Sequence, residues 1–290
     1  MTAKNLLRAA RDLTMRSRTV QRAVRAGTTS GWLPERIWQH LRPSGVWTLH
    51  APDRSEFRYH CGAEDVLAGP VVWTDLREWE EATHPLFYQL AGRARGFLDA
   101  GAFAGLYTLL ACRANPALHA VAVEPNPAAA RLLHRNLDVN GYGPRVSVVA
   151  KALSDTPGRA RLAVPERITT ASLRASTQGQ HAFDVEVTTA DDAVGDRPID
   201  LVKIDVEGLE PEVLQGMART LRTHRPTVIA ECLDRPALDR LRAAAAPYGY
   251  TYVHHLAPGG PVLVDPGFTP PRRHQNFLLT PAPFAPFGPS

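Results

Sequence analysis

Gly96-Phe97-Leu98-Asp99-Ala100-Gly101-Ala102-Phe103-Ala104-Gly105 carries an apolar run into a turn of small residues. Residues 96–99 read as a short buried strand and residues 105–113 as a helix. In an open α/β sheet, ligands bind outside the carboxyl ends of the strands. A small-residue turn there lets the backbone approach a ligand closely, and the helix N-terminus offers free N–H groups. The dinucleotide pattern G-x-G-x-x-G needs three glycines, and no register of this turn supplies them. That counts against a nicotinamide oxidoreductase.

The same alternation continues outward. Residues 119–124, 145–150, 198–204, 227–231, 250–254 and 276–279 read as strands. Residues 127–140, 209–221 and 236–246 read as helices, the first with Pro127 near its first turn and Gly141 just beyond its end. Residues 159–164 and 183–188 read as extra strands or a hairpin. Strands alternating with helices imply an α/β fold, doubly wound, with a mostly parallel sheet covered on both faces. Residues 91–282 are expected to form this domain, residues 1–90 an N-terminal extension that can cap a substrate, and residues 283–290 an irregular, proline-rich tail.

Composition narrows the class. The chain has 290 residues, 44% hydrophobic and 21% charged, so a globular core is expected. Its formal charge is +4, from 33 basic and 29 acidic residues. Seven basic residues (Lys4, Arg8, Arg11, Arg16, Arg18, Arg22 and Arg25) precede residue 26, and elsewhere no dense basic patch speaks for nucleic acid. Apolar residues in 4–25 recur at helical spacing, giving a solvated basic helix or one that meets a membrane surface or partner. All five tryptophans (Trp32, Trp38, Trp47, Trp73 and Trp79) fall in residues 31–80. They imply a packed subdomain, an aromatic wall over a pocket, or both. Cys61, Cys112 and Cys232 have no paired spacing, which suits a reducing cytoplasm. Neither a secretory signal nor a membrane span is expected, since no apolar stretch reaches the required length.

Four further segments carry chemistry. Glu124-Pro125-Asn126-Pro127 puts an acid at the end of the second strand, 25 residues after Asp99, where its two oxygens can accept from two ribose hydroxyls. No basic phosphate clamp lies near either turn, which favours a nucleoside over a pyrophosphate. Lys151-Ala152-Leu153-Ser154-Asp155 follows the third strand, where a turn would lie beside an adenine or be an ordinary connection. Thr189-Ala190-Asp191-Asp192 and the run Lys203-Ile204-Asp205-Val206-Glu207-Gly208 complete the set. Asp205 and Glu207 would sit at the rim of a pocket; Glu207 and Glu210 also suit a helix N-terminus.

In this order the five segments resemble the FkbM family of S-adenosylmethionine-dependent methyltransferases, over roughly residues 95–280. The resemblance implies a class I methyltransferase fold and S-adenosylmethionine as cofactor. It implies cofactor contacts at Asp99, Ala100, Gly101, Ala102, Phe103 and Gly105, at Glu124, Pro125 and Asn126, at Ala152, Leu153 and Ser154, and at Asp205. Two positions depart from the family pattern: Phe103 replaces Asn and Ala190 replaces Leu. The implied reaction is O-methylation of a small molecule such as a secondary metabolite, sugar or glycan hydroxyl. Asp205 and Glu207 are the catalytic candidates, with Glu231, His84 and His181 as further bases. Asp191, Asp192 and Asp205 are oxygen ligands of a type suited to magnesium, but the spacing demands no metal. The competing readings are a non-catalytic cofactor-binding protein of the same fold and an RNA methyltransferase.

Overall fold

The computed structural model describes residues 15, 17–62, 65, 67–164 and 181–285. Most of the basic segment before residue 17 and the side chain of the candidate base His181 lie outside this set. The front of the chain forms helices α1 (Arg18–Thr29) and α2 (Glu35–Trp38), a hairpin of β1 (Gly45–His50) and β2 (Glu56–Cys61), and helices α3 (Ala68–Trp73) and α4 (His84–Ala91). The hairpin alternates by two: Trp47 and Leu49 point inward from β1, Phe57, Tyr59 and Cys61 from β2. Among the described residues β1 pairs only with β2, which leaves the carbonyls of its other edge in need of donors. Arg18 supplies donors to the Ser44 and Val46 carbonyls and Arg25 to that of Thr48, each at 2.7 Å. The basic face of α1 therefore fastens the helix to a strand edge.

The remaining elements run β3 (Gly96–Ala100), α5 (Leu106–Ala114), β4 (His119–Val123), α6 (Pro127–Asn140), β5 (Val146–Val149), β6 (Ala152–Leu153), β7 (Gly158–Val164), β8 (His181–Thr188), α7 (Ala190–Val194) and β9 (Leu201–Ile204). They continue with α8 (Glu210–Gln215), α9 (Ala218–Thr223), β10 (Thr227–Glu231), α10 (Arg235–Ala245), β11 (Tyr252–Ala257), β12 (Gly260–Leu263) and β13 (Asn276–Thr280). Eight strands form the main sheet in the order β12-β11-β13-β10-β9-β3-β4-β5. The five from β10 to β5 pair in parallel, and β13 runs antiparallel between β10 and β11. The chain moves outward from β3 to β5, then returns to β9 on the other side. The order thus reverses between β3 and β9, the switch point at which such sheets bind ligands.

Alternate residues of the central strands serve two cores. Phe97, Leu201 and Ile229 face one, with Leu109, Leu133 and the front-end Trp47 and Trp73. Leu98, Val202 and Val228 face the other, with Leu214, Leu221 and Leu238. Each such apolar side chain stabilises the fold by about 1.5–3 kcal/mol. This double coverage is the doubly wound α/β arrangement expected from the sequence.

Three local details differ from the sequence reading. The expected helix 209–221 is two helices, α8 and α9. Gly216 lies against the Ser154 carbonyl so closely that a Cβ would sit 2.2 Å from that oxygen. Asp191 then starts α9 by accepting from the Arg219 and Thr220 backbone N–H groups at 2.7 and 2.9 Å. β7 and β8 are the expected extra pair, but they join β6 in a separate three-stranded sheet. The hairpin β1–β2 and the edge strand β12 had no distinct sequence signal. No helix among the described residues is long and apolar enough to cross a membrane.

Candidate functional site

The turns after β3, β4 and β9 meet at the switch point. Gly101 has φ +85°, and a Cβ there would lie 1.8 Å from the Asp205 carbonyl oxygen. Only glycine fits, and its absence of a side chain lets the two strand ends touch. The Gly101 and Ala102 N–H groups both donate to the Val123 carbonyl at 3.0 Å, and Asp205 N–H donates to Ala100 at 2.9 Å. The turn is thereby tied to both neighbouring strands before any ligand arrives.

Glu124 is buried where β4 ends. Its Oε2 accepts from the Phe103 N–H at 2.8 Å and its Oε1 from the Asn126 N–H at 2.7 Å. A carboxylate oxygen has two lone-pair directions, so each keeps one for a ligand hydroxyl. Burial pushes the Glu124 carboxyl up to about 7, against the pull of those two N–H groups. Asn126 caps α6 by accepting from Ala128 N–H at 3.0 Å.

A cavity of about 130 Å³ opens over these turns. Gly101, Phe103 and Glu124 to Asn126 line one side; Ala152, Leu153, Asp205 and Glu207 line the rest. Lys151, Val206 and Leu209, from the segments that carry chemistry, also reach it, as do Leu67, Val123 and Leu162, which the sequence reading did not single out as site residues. A smaller recess of about 50 Å³ continues from Gly101, Phe103 and Asp205 to Asp99, Ala102, Trp79, Tyr107 and Lys203. Asp99 is buried there, accepts from the Thr108 hydroxyl at 2.6 Å, and is pushed up to about 6 by burial. Ala100 ends β3 and Gly105 precedes α5; neither lines the cavity or the recess. The Ser154 hydroxyl instead donates to Asp155 at 3.1 Å.

Phe103 takes the family's Asn position with φ +49°, in the left-handed region that Asn tolerates better than an aromatic residue. The atom that meets Glu124 is its backbone N–H, which any residue supplies. Phe103→Asn is therefore expected to change S-adenosylhomocysteine affinity by less than about threefold. Calorimetry checks this, and a large gain would mean that the ring obstructs the site.

The candidate acids and bases gather around one lysine. Lys203 is buried, and its Nζ pairs with Asp205 Oδ2 at 3.3 Å. Burial works against the ammonium, but the charges of Asp205, Glu80 and Glu231 outweigh it and hold it above its usual range. The Tyr107 hydroxyl and Asn276 Nδ2 both donate to Glu80 Oε2, the latter at 2.7 Å. Glu207, at φ +57°, is pushed up to about 7 by burial and by the charges of Asp205 and Glu210. His84 stacks on Trp79 at 4.8 Å, and burial pushes it down to about 3, which makes it a weak base. Asp191 spends its oxygens on α9, and no group of three His, Cys, Asp or Glu among the described residues is placed to hold a metal. Sequence reasoning missed Glu80, Tyr107 and Asn276; the one available signal was Lys203, one of three lysines in the chain.

Fold and cavity together define a doubly wound α/β protein with a ligand site at its switch point. The chain belongs to the Methyltransferase FkbM domain family, whose signature matches residues 99–252. Among solved structures it is similar to methyltransferase FkbM from Methylobacillus flagellatus KT, with 16% identity, a TM-score of 0.44, and 76% of this chain and 55% of that one covered. The chain thus spans about half the length of that relative. It is also similar to a SAM-dependent O-methyltransferase from Thermotoga maritima, with 12% identity, a TM-score of 0.43, and 82% and 92% covered. A third is an O-methyltransferase involved in tomaymycin synthesis in Streptomyces achromogenes, solved with SAM, with 15% identity, a TM-score of 0.39, and 69% and 81% covered. No curated protein matches the sequence.

Proposed function

We propose that this protein is an S-adenosylmethionine-dependent methyltransferase that methylates a hydroxyl of a small molecule. The observation that carries the reading is Glu124: a buried strand-end carboxylate, anchored through both oxygens, beside a turn that only glycine can make. That donor and acceptor set fits a nucleoside. Glu124 accepts the ribose hydroxyls, and Val123, Leu153 and Leu162 offer an apolar slot for the base. The cofactor supplies, when bound, a methyl group already activated on a sulfonium. The protein's own work is alignment and charge. Asp205 is held by Lys203 through one oxygen, with Glu207 close enough to feel its charge. These carboxylates face the cavity and favour a cation there. Leu67 and Trp79, from the front end, reach the two cavities, so residues 1–90 act as a cap over the acceptor side. A cytoplasmic location belongs to the same reading.

Calorimetric titration with S-adenosylhomocysteine, beside NAD as control, tests it. Saturable binding of the former alone is the expected result, and binding of NAD alone would overturn it. Once a labelled-methyl screen of hydroxyl compounds finds an acceptor, Asp205→Asn is expected to lower turnover by on the order of 10² or more. Unchanged turnover would remove Asp205 from the mechanism.

A further inference from the structure

Glu231 ends β10 at the carboxyl edge of the sheet. β9 and β10 pair Ile204 with Ala230, so Asp205 and Glu231 follow side by side. On its other side Glu231 is in register with Asn276. Asn276 is buried and gives its Nδ2 to Glu80, while its Oδ1 has no partner among the described residues. Glu231 itself accepts no side-chain hydrogen bond among the described residues and keeps partial access to solvent. It is the free carboxylate in a group whose other members are fastened: Asp205 by Lys203, Glu80 by Tyr107 and Asn276.

The charges that face Glu231 come from three elements. Lys203 and Asp205 belong to β9 and its end, Glu207 to the following turn, and Glu80 to the segment before α4. With Glu231 this makes four carboxyl groups around one ammonium. Burial, then the Asp205 charge, pushes Glu231 well above the carboxylate range, and Lys203 only partly offsets this. Asp205, the register neighbour of Glu231, lines both cavities, and a second cation there would redress the balance. Coulombic coupling in a poorly solvated site is large enough to move a proton.

We propose that Glu231 is the base that takes the acceptor's hydroxyl proton, and that the cofactor's own charge makes it ready. This rests on the cofactor reading above. Glu231 is a neutral acid in the free protein and gives up its proton when a sulfonium binds beside Asp205. In the transfer the O–C bond forms, the C–S bond breaks with its electron pair left on sulfur, and the hydroxyl proton passes to Glu231. One sulfonium and one carboxylate become a neutral thioether and a neutral acid, so the buried charge never changes. The acceptor class that fits is a hydroxyl compound with no anionic group near the reacting oxygen.

Proton counting tests this without an acceptor. Wild-type protein is titrated at pH 7.5 with S-adenosylmethionine and with S-adenosylhomocysteine, in phosphate and in Tris, whose ionisation enthalpies differ. The sulfonium ligand is expected to release about one proton more than the thioether. In Glu231→Gln both ligands should still bind and the difference should vanish. Equal proton release in the wild type overturns the proposal without any variant. So does a difference that survives in Glu231→Gln but disappears in Glu207→Gln, which would move the role to Glu207. Wild-type protein that binds neither ligand overturns the cofactor reading, and this inference with it.

Discussion

Replacing Glu124 with alanine is expected to weaken S-adenosylhomocysteine binding by ~10²–10⁴-fold, because two hydrogen bonds to a charged acceptor are lost at about 1.5–3 kcal/mol each. The fold should suffer far less, for two opposing reasons. The variant leaves the Phe103 and Asn126 N–H groups without their acceptor. It also removes a carboxylate that the folded state disfavours, since burial raises Glu124 to about 7. The sign follows from linkage. A raised acid binds its proton more tightly in the folded than in the unfolded chain, so the wild type loses stability as pH rises from about 4.5 to 7. That loss amounts to about 3 kcal/mol at most, and the alanine variant lacks it. Thermal unfolding at pH 5 and pH 8 should show a flatter pH dependence in the variant. Binding within threefold of wild type would show that the ribose lies elsewhere. Glu124→Gln keeps one carbonyl acceptor and should fall between the two.

The turn at 99–105, Glu124 and the Lys203–Gly208 run were legible because short segments fix them. A strand end, a glycine that must be glycine and an acid two residues before a helix cap each leave a local trace. The helix at 127–140 was legible for the same reason: Asn126, Pro127 and Gly141 mark both its ends. The break between α8 and α9 was not, because the groups that meet it, the Ser154 backbone against Gly216 and the Asp191 carboxylate on the first turn of α9, come from distant parts of the chain. Glu80 shows the same limit at the site. It joins Tyr107 and Asn276 across 27 and 196 residues of chain, and nothing local to residues 79–81 sets that acid apart from a surface one. At Phe103 the structure adds a contact that no side chain encodes, the backbone N–H donated to Glu124.

Lys203→Met should cost about 3–5 kcal/mol of stability at pH 8, the cost of leaving buried partners of an ion pair uncompensated. Methionine fills most of the volume of the lysine stem, so the loss is one of charge more than of packing. Lys203 itself stays protonated across neutral pH, because its folded value lies above its usual one. Its contribution is therefore constant there, and the pH dependence of the variant comes from its neighbours. Without the ammonium, the charges of Asp205 and Glu80 face each other with nothing between them, and Glu80 holds its proton to higher pH, while Glu231 stays neutral. The unfolded chain has no such preference. The variant must then lose stability more steeply than wild type as pH rises from 5 to 8, and its deficit should be smaller at pH 5, where fewer of these carboxyl groups carry charge. Urea unfolding at the two pH values measures both deficits. A deficit equal at pH 5 and pH 8 would mean that Lys203 acts through packing against Tyr107, whose ring centroid lies 5.2 Å from its ammonium, and not as the counter-charge of the site.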